Sequence, residues 1–289
     1  MKKIVFLCLL IPFISFSQED LLSELDDDVV EDTTVEAAFK GLKVVNFETT
    51  KLASKKDFYL IVSHRFGTVK NGIEDLFGLD ESLTQIKFIY GINDWLNVGF
   101  ARSSLLRKYG LHAKYRLVHQ KTDGSPVAVV GYNLVTMNNA LNDDVFPNLD
   151  FGHKFTYTSQ VIVSRKFSEN FSFLVSPTYI HENLATRSFD GPLSYDEDND
   201  QFAVGLGGRY KISKRVSINM DYGLHLNRNS NSNFRDPLSV GVDIETGGHI
   251  FQVHFSNAQA MFEEGYIVNA TGDWGDTNFF FGFNLSRVF

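Results

Sequence analysis

Val216 to Asn227 reads VSINMDYGLHLN, and apolar residues fall at every second position. Val216, Ile218, Met220, Tyr222, Leu224 and Leu226 share one face. Ser217, Asn219, Asp221, Gly223 and His225 share the other. An extended strand separates such sets because its side chains alternate, whereas a helical period of 3.6 would mix them. The stretch is therefore a strand with one apolar and one polar face.

The pattern recurs along the chain. Phe171, Phe173, Val175 and Tyr179 alternate with Ser172, Ser176, Thr178 and Glu182, and the segment Phe155 to Phe167 behaves alike. Extending the reading gives about twelve strands, near 57–67, 83–92, 95–103, 107–118, 126–137, 153–167, 171–182, 201–212, 216–227, 237–246, 249–258 and 277–289. Turn formers mark the short links NDW, QKTDGS, SEN, SKR and TGG. Between these lie mostly longer segments: 68–82, 138–152, 183–200, 228–236 and 259–276. Short and long ends alternate, which predicts an all-β, antiparallel, up-and-down barrel with two unlike rims.

Alternation alone also fits a soluble barrel or sandwich with its apolar face inward. Several features place lipid outside instead. Most strands reach nine residues, enough to cross a bilayer at a tilt. Aromatics gather near strand ends (Phe58, Phe66, Tyr90, Tyr109, Tyr115, Phe167, Phe171, Tyr179, Tyr210), as in an interfacial girdle. Twelve strands enclose more space than apolar side chains readily fill. Charges at mid-strand also need water rather than hydrocarbon around them. The expected lumen lining is Lys87, Lys114, Arg116, Arg209, Asp221, His225, Asp243, Glu245 and His254.

The two ends of the chain suggest how it reaches a membrane. Lys2 and Lys3 precede an apolar run from Ile4 to Phe16, too short to span as a helix, and SFSQ follows. This reads as a signal peptide over 1–17. Cys8, the one cysteine, lies inside it, so the exported chain is expected to carry no disulfide. Residues 18–38 hold nine acids and no base, and are expected to be a disordered acidic segment in the periplasm. Setting those nine and the two leading lysines aside leaves 26 of the 35 acids and 25 of the 27 bases for residues 39–289. A nearly neutral body without a basic stripe excludes nucleic acid as a partner. Residues 39–56 read as a short pre-barrel or plug segment. The chain closes on FFFGFNLSRVF, where Phe281, Phe283, Leu285 and Phe289 form the expected assembly signal for the barrel-assembly machinery, with outer-membrane lipid as the surrounding solvent. An even strand count places both termini on the short-turn, periplasmic side.

SHRFG (63–67), DLFGLD (75–80), YGINDWLNVGFARSS (90–104) and KYRL (114–117) resemble an uncharacterised family of outer-membrane β-barrels of Bacteroidota type. The resemblance runs from about Phe39 to the C-terminus. It implies fold and location, and no catalytic residue.

Chemical motifs are weak. HENLA (181–185) lacks a second histidine, so it is no zinc helix. GLGGR (205–209) sits in a strand and opens no helix, so its glycines are expected to keep the lumen wall smooth. His64 is phased onto the apolar side, with Ser63 and Arg65 on the other, which suits a girdle residue better than a catalytic base. His225, His254, Asp221, Asp243 and Glu245 share the polar face; a charge network with Lys114, Arg116 and Arg209 explains them better than a metal site. DEDND (196–200) lacks the distal glutamate of a calcium loop. NRNSNSNFRD (227–236) suits an outer loop. Ile73, Leu76, Phe77 and Leu79 fall at helical spacing, which predicts a short amphipathic helix folded into the barrel mouth. No cofactor or metal is called for. The expectation is a narrow channel or transport conduit. The alternatives are a closed binding barrel that docks a periplasmic partner through its loops or acidic segment, and, less favoured, a lipase-type enzyme.

Overall fold

A computed structural model describes residues 34–35, 38–142, 149–184 and 198–289. The signal peptide, most of the acidic segment and the first two residues of DEDND lie outside these residues.

Twelve strands follow in chain order among the described residues: β1 (Phe58–Thr68), β2 (Ser82–Asn93), β3 (Leu96–Ser103), β4 (Tyr109–Val118), β5 (Ala128–Met137), β6 (Phe155–Lys166), β7 (Phe171–Glu182), β8 (Asp200–Lys211), β9 (Val216–His225), β10 (Leu238–Thr246), β11 (His249–Ser256) and β12 (Phe280–Val288). Each pairs antiparallel with its sequence neighbours, and β12 pairs with β1 to close the barrel. Closure satisfies every ladder, which hydrocarbon demands because it offers the backbone no other partner. At the seam, Val62 lies opposite Leu285 and His64 opposite Phe283. Phe289 extends the seam at the rim: its N–H donates to the Phe58 carbonyl at 2.9 Å.

The period-two pattern becomes two surfaces. Phe88, Phe100, Leu111, Val161, Phe202, Met220, Leu224, Phe251 and Leu285 point outward and are exposed. Ser63, Gln85, Asn97, Thr136, Gln160, Asn219 and Asn284 point inward and are buried. No helix among the described residues is long and apolar enough to cross a membrane; the crossing is made by strands.

The rims differ as the spacing predicts. On one rim β10 and β11 are joined by Gly247 and Gly248 alone, both at positive φ, the conformation a two-residue hairpin turn requires. On the other rim lies the segment 257–279, with a helix α1 (Glu263–Val268) whose six residues are all buried.

Here one expectation fails. Residues 71–80 do not fill the mouth: Ile73, Leu76, Phe77 and Leu79 are all exposed, Ile73 at 74%. The segment forms only a 3-10 turn, Val69–Asp75. Gly72 breaks it at φ 62°, and Leu76 leaves it in the left-handed region. A continuous helical face never forms, so the helical spacing of the apolar residues has nothing to act on. The helix that enters the barrel is α1, contributed by the last long loop.

Candidate functional site

The lumen is occupied by the chain's own residues 38–53. Phe39, Val44, Val45 and Phe47 are almost or wholly inaccessible, although they precede the first strand. Burying an apolar side chain of this size stabilises by about 1.5–3 kcal/mol. The plug forms a tight reversal: Val44 N–H donates to the Phe47 carbonyl at 2.8 Å, and Thr49 N–H to the Leu42 carbonyl at 2.9 Å.

The wall is electrically divided. Inward side chains on β1, β2 and β4 include Arg65, Lys87, Lys114 and Arg116, with no carboxylate among β1–β5. Asp221, Asp243 and Glu245 lie across the lumen on β9 and β10. The plug answers each side with the opposite charge. On the cationic side Glu48 accepts from Lys87 Nζ at 2.6 Å and from Lys114 Nζ at 3.0 Å, with Lys43 Nζ at 3.9 Å. Burial alone would push the Glu48 carboxyl up, but the ammonium groups of Lys87, Lys114 and Lys43 outweigh it and hold it well below the usual carboxylate range.

On the anionic side the plug offers backbone. The N–H groups of Val45, Asn46 and Phe47 all donate to Oδ2 of Asp221, at 3.0, 2.7 and 3.2 Å. Successive N–H groups converging on one anion make a nest, a fixed partial positive charge built from main chain. Asn46 continues the contact, donating to Ser239 Oγ at 2.9 Å and Ser256 Oγ at 3.2 Å and accepting from Arg65 at 3.0 Å. Asn284 Nδ2 donates to the Val45 carbonyl at 3.2 Å, and Gln252 Nε2 to the Val44 carbonyl at 2.5 Å.

Shape complements charge. A Cβ at Gly205 would lie 2.3 Å from the Phe47 ring, and one at Gly223 would lie 3.0 Å away. These glycines face each other across β8 and β9, and together they hollow out the socket that takes the ring. Gly207 does the same for Val44. Gly205 and Gly207 of GLGGR thus shape a receptor for the plug, while Gly208 faces the other way. On its other side Phe47 meets Tyr266 of α1 edge-on at 5.1 Å, so plug and loop seal one another. Glu264 of α1 is held by Lys108 at 2.9 Å and Thr136 at 2.8 Å. Burial pushes the Glu263 carboxyl up, against the pull of Lys43 and Lys87.

The structure places the nine sequence-selected lumen residues as follows. Lys87, Lys114 and Asp221 touch the plug as described. Arg116 donates to the Thr50 carbonyl at 3.5 Å. Arg209 pairs with Glu245 at 2.6 Å, and Asp243 accepts from Gln252 at 2.5 Å. His225 Nε2 lies 2.5 Å from Gln201 Oε1. His254 is buried beside Gly282 and Arg65. These groups form several local pairings, and among the described residues no set of three His, Cys, Asp or Glu side chains could hold a metal ion. Ser63 is buried in the lumen, whereas His64 faces outward between Ser82 and Thr84 and rests on Phe283. The two therefore lie on opposite sides of the wall.

Sequence reasoning missed Glu48, Asn46 and Phe47 of the plug, together with Arg65, Ser239, Gln252, Ser256 and Asn284 of the wall. One signal was available. Apart from Asp57 at the very start, the predicted polar faces of β1–β5 carry cations and no acid, so their counter-charge had to come from outside the wall.

A closed antiparallel sheet, apolar outside and polar within, defines the molecule as a transmembrane β-barrel. Its family is equally clear. Residues 39–289 match the family described as Membrane bound beta barrel domain (DUF5777), and the chain belongs to it. No functionally curated protein matches the chain. Among solved structures, the NanC porin is similar with a TM-score of 0.51 at 10% identity, over 80% of this chain and 98% of that one. The KdgM porin gives 0.48 at 7% identity, over 80% and 99%. An outer membrane channel from Pseudomonas putida F1 gives 0.46 at 15% identity, over 83% and 97%. At these identities the likeness is one of fold.

Proposed function

We propose that the protein is an outer-membrane channel-class barrel, a narrow conduit held shut by its own N-terminal plug. The carrying observation is the chemistry of the plug's seat. The plug packs Phe39, Val44 and Leu52 on Val130, Leu134, Ile162 and Leu174 of the wall, but its ion pairs and hydrogen bonds go to inward side chains, so its withdrawal also exposes water-compatible groups: Arg65, Lys87, Lys114, Asp221 and Asp243. A seat built from apolar side chains alone would instead favour a permanently closed core. In this reading the short-turn rim and both termini lie in the periplasm, and the motifs of 63–117 support a Bacteroidota-type outer membrane as the setting. Phe281, Phe283, Leu285 and Phe289 serve the barrel-assembly machinery. The protein acts without an enzymatic step.

Single-channel recording in planar bilayers tests the proposal. The intact chain is expected to be mostly closed, with rare openings that multiply when plug contacts are removed. A barrel that never conducts, even with its plug contacts removed, refutes it. A second reading rests on the same filled lumen: a closed barrel that docks a basic periplasmic protein through residues 18–38. Pull-down with and without those residues separates the two, since a pure conduit loses no partner when they are removed.

A further inference from the structure

At the short-turn rim, between plug and wall, lies a cavity of about 320 Å³. It is lined by Lys40 and Lys51 of the plug, and by Lys214 and Arg215 of the β8–β9 turn with His249 of β11. Glu245 is the one carboxylate in its lining, and it is engaged by Arg209 at 2.6 Å, with Lys40 at 4.0 Å. Lys51, Lys214 and Arg215 have no ion pair among the described residues. Lys51 is largely withdrawn from solvent, and burial and the neighbouring Lys40 push its ammonium down, with Glu245 and Asp57 opposing. Four cations therefore surround an open space with one carboxylate that is already paired. Like charges held around a cavity repel one another, and a multivalent anion removes that repulsion.

We propose that this cavity is a binding site for a small multivalent oxyanion, carrying carboxylate or phosphate groups, that bridges the plug to the wall. The bridging follows from where the cations reside. Two belong to the plug and two to a turn of the barrel, so an anion touching both sets binds only while the plug is seated. A ligand that binds one state stabilises that state by mass action. The anion is thus both ligand and lock.

The test uses the full-length protein in detergent at low ionic strength. Calorimetric titration with pyrophosphate, with citrate and with acetate is expected to give saturable one-to-one binding for at least one of the first two and none for acetate. Whichever of pyrophosphate and citrate binds more tightly identifies the oxyanion class. K51Q (plug) and K214Q (wall) should each weaken binding at least tenfold. Bridging has its own readout. In a C8S/V45C chain, the tighter anion should slow labelling of the thiol introduced at position 45 by a membrane-impermeant maleimide, and K51Q should abolish that protection. Absence of saturable binding to both multivalent anions overturns the site. Binding that K51Q leaves intact, or that fails to slow labelling, overturns the bridge. Neither outcome depends on whether the barrel conducts, so the inference can fail while the channel reading stands.

Discussion

Replacing Asp221 by alanine should release the plug. Three backbone N–H groups lose their common acceptor, and each buried donor left without a partner costs about 1–3 kcal/mol. Taking the lower figure for each gives about 3 kcal/mol in favour of the unseated plug. With about 1.4 kcal/mol per factor of ten, the unseated population rises about 100-fold. Asp221→Asn keeps an acceptor and loses only the charge assistance, which roughly halves each bond's strength, so its effect should be clearly smaller. The assay is maleimide labelling of C8S/V45C, since Val45 is wholly buried in the seated plug. Open probability in planar bilayers gives a second readout. The ladders of the barrel are untouched, so the variant should still run as a folded barrel on an unheated gel. Labelling and open probability equal to those of the parent chain would refute the idea that the Asp221 nest holds the plug.

Four further outcomes follow from the same geometry. Glu48→Gln leaves Lys87 and Lys114 buried beside a neutral amide, a loss of about 3–5 kcal/mol for a broken buried pair, which a lowered denaturant midpoint would report. Gly205→Val drives a side chain into the Phe47 ring, and overpacking of this kind costs about 1–3 kcal/mol; labelling of the V45C thiol should rise, and Phe47→Ala in the same chain should remove the clash. Because the Glu48 carboxyl is depressed in the folded state, its contribution is complete above the unfolded value of about 4.3 and is lost only as pH falls through the lower folded value. Plug release governed by Glu48, read as labelling relative to an unfolded control at each pH because only the thiolate reacts, should therefore be flat between neutral and mildly acid pH and rise only in stronger acid. Deleting Phe289 removes its backbone bonds to Phe58 and the proposed terminal signal, so outer-membrane levels should fall in fractionated cells; unchanged levels would sink that role.

The barrel was legible because lipid imposes a simple rule on it. A strand with lipid on one side and a polar lumen on the other must alternate, and Val216 to Asn227 does so without exception. The strand ends fell within about three residues of those found, with the largest excess at the start of β12, where Thr277, Asn278 and Phe279 precede the ladder. The plug obeys no such rule. Its segment FKGLKVVNFETT has neither helical nor strand periodicity, because an irregular loop buried in a polar lumen meets a different partner at nearly every residue. The two candidate mouth segments show the complementary failure. Residues 71–80 carry helical spacing but are interrupted by Gly72, whereas α1 buries Glu263 and Glu264, which a hydropathy reading assigns to solvent. Lys108 and Thr136 make that burial tolerable for Glu264, and no local pattern reveals partners 156 and 128 residues away.

Apart from Arg65, the wall residues that grip the plug tip lie far along the chain from it. Asp221, Ser239, Gln252, Ser256 and Asn284 belong to β9 through β12, whereas the tip they hold is made before the first strand. The plug, made before the first strand, must therefore wait for the last ones. A chain cut short before β9 lacks the Asp221 acceptor for the plug's tip, and one lacking β12 has neither Asn284 nor a closed seam. In the conduit reading, closure is thereby conditional on completion: the plug's tip is fully held only once the last strands are in place.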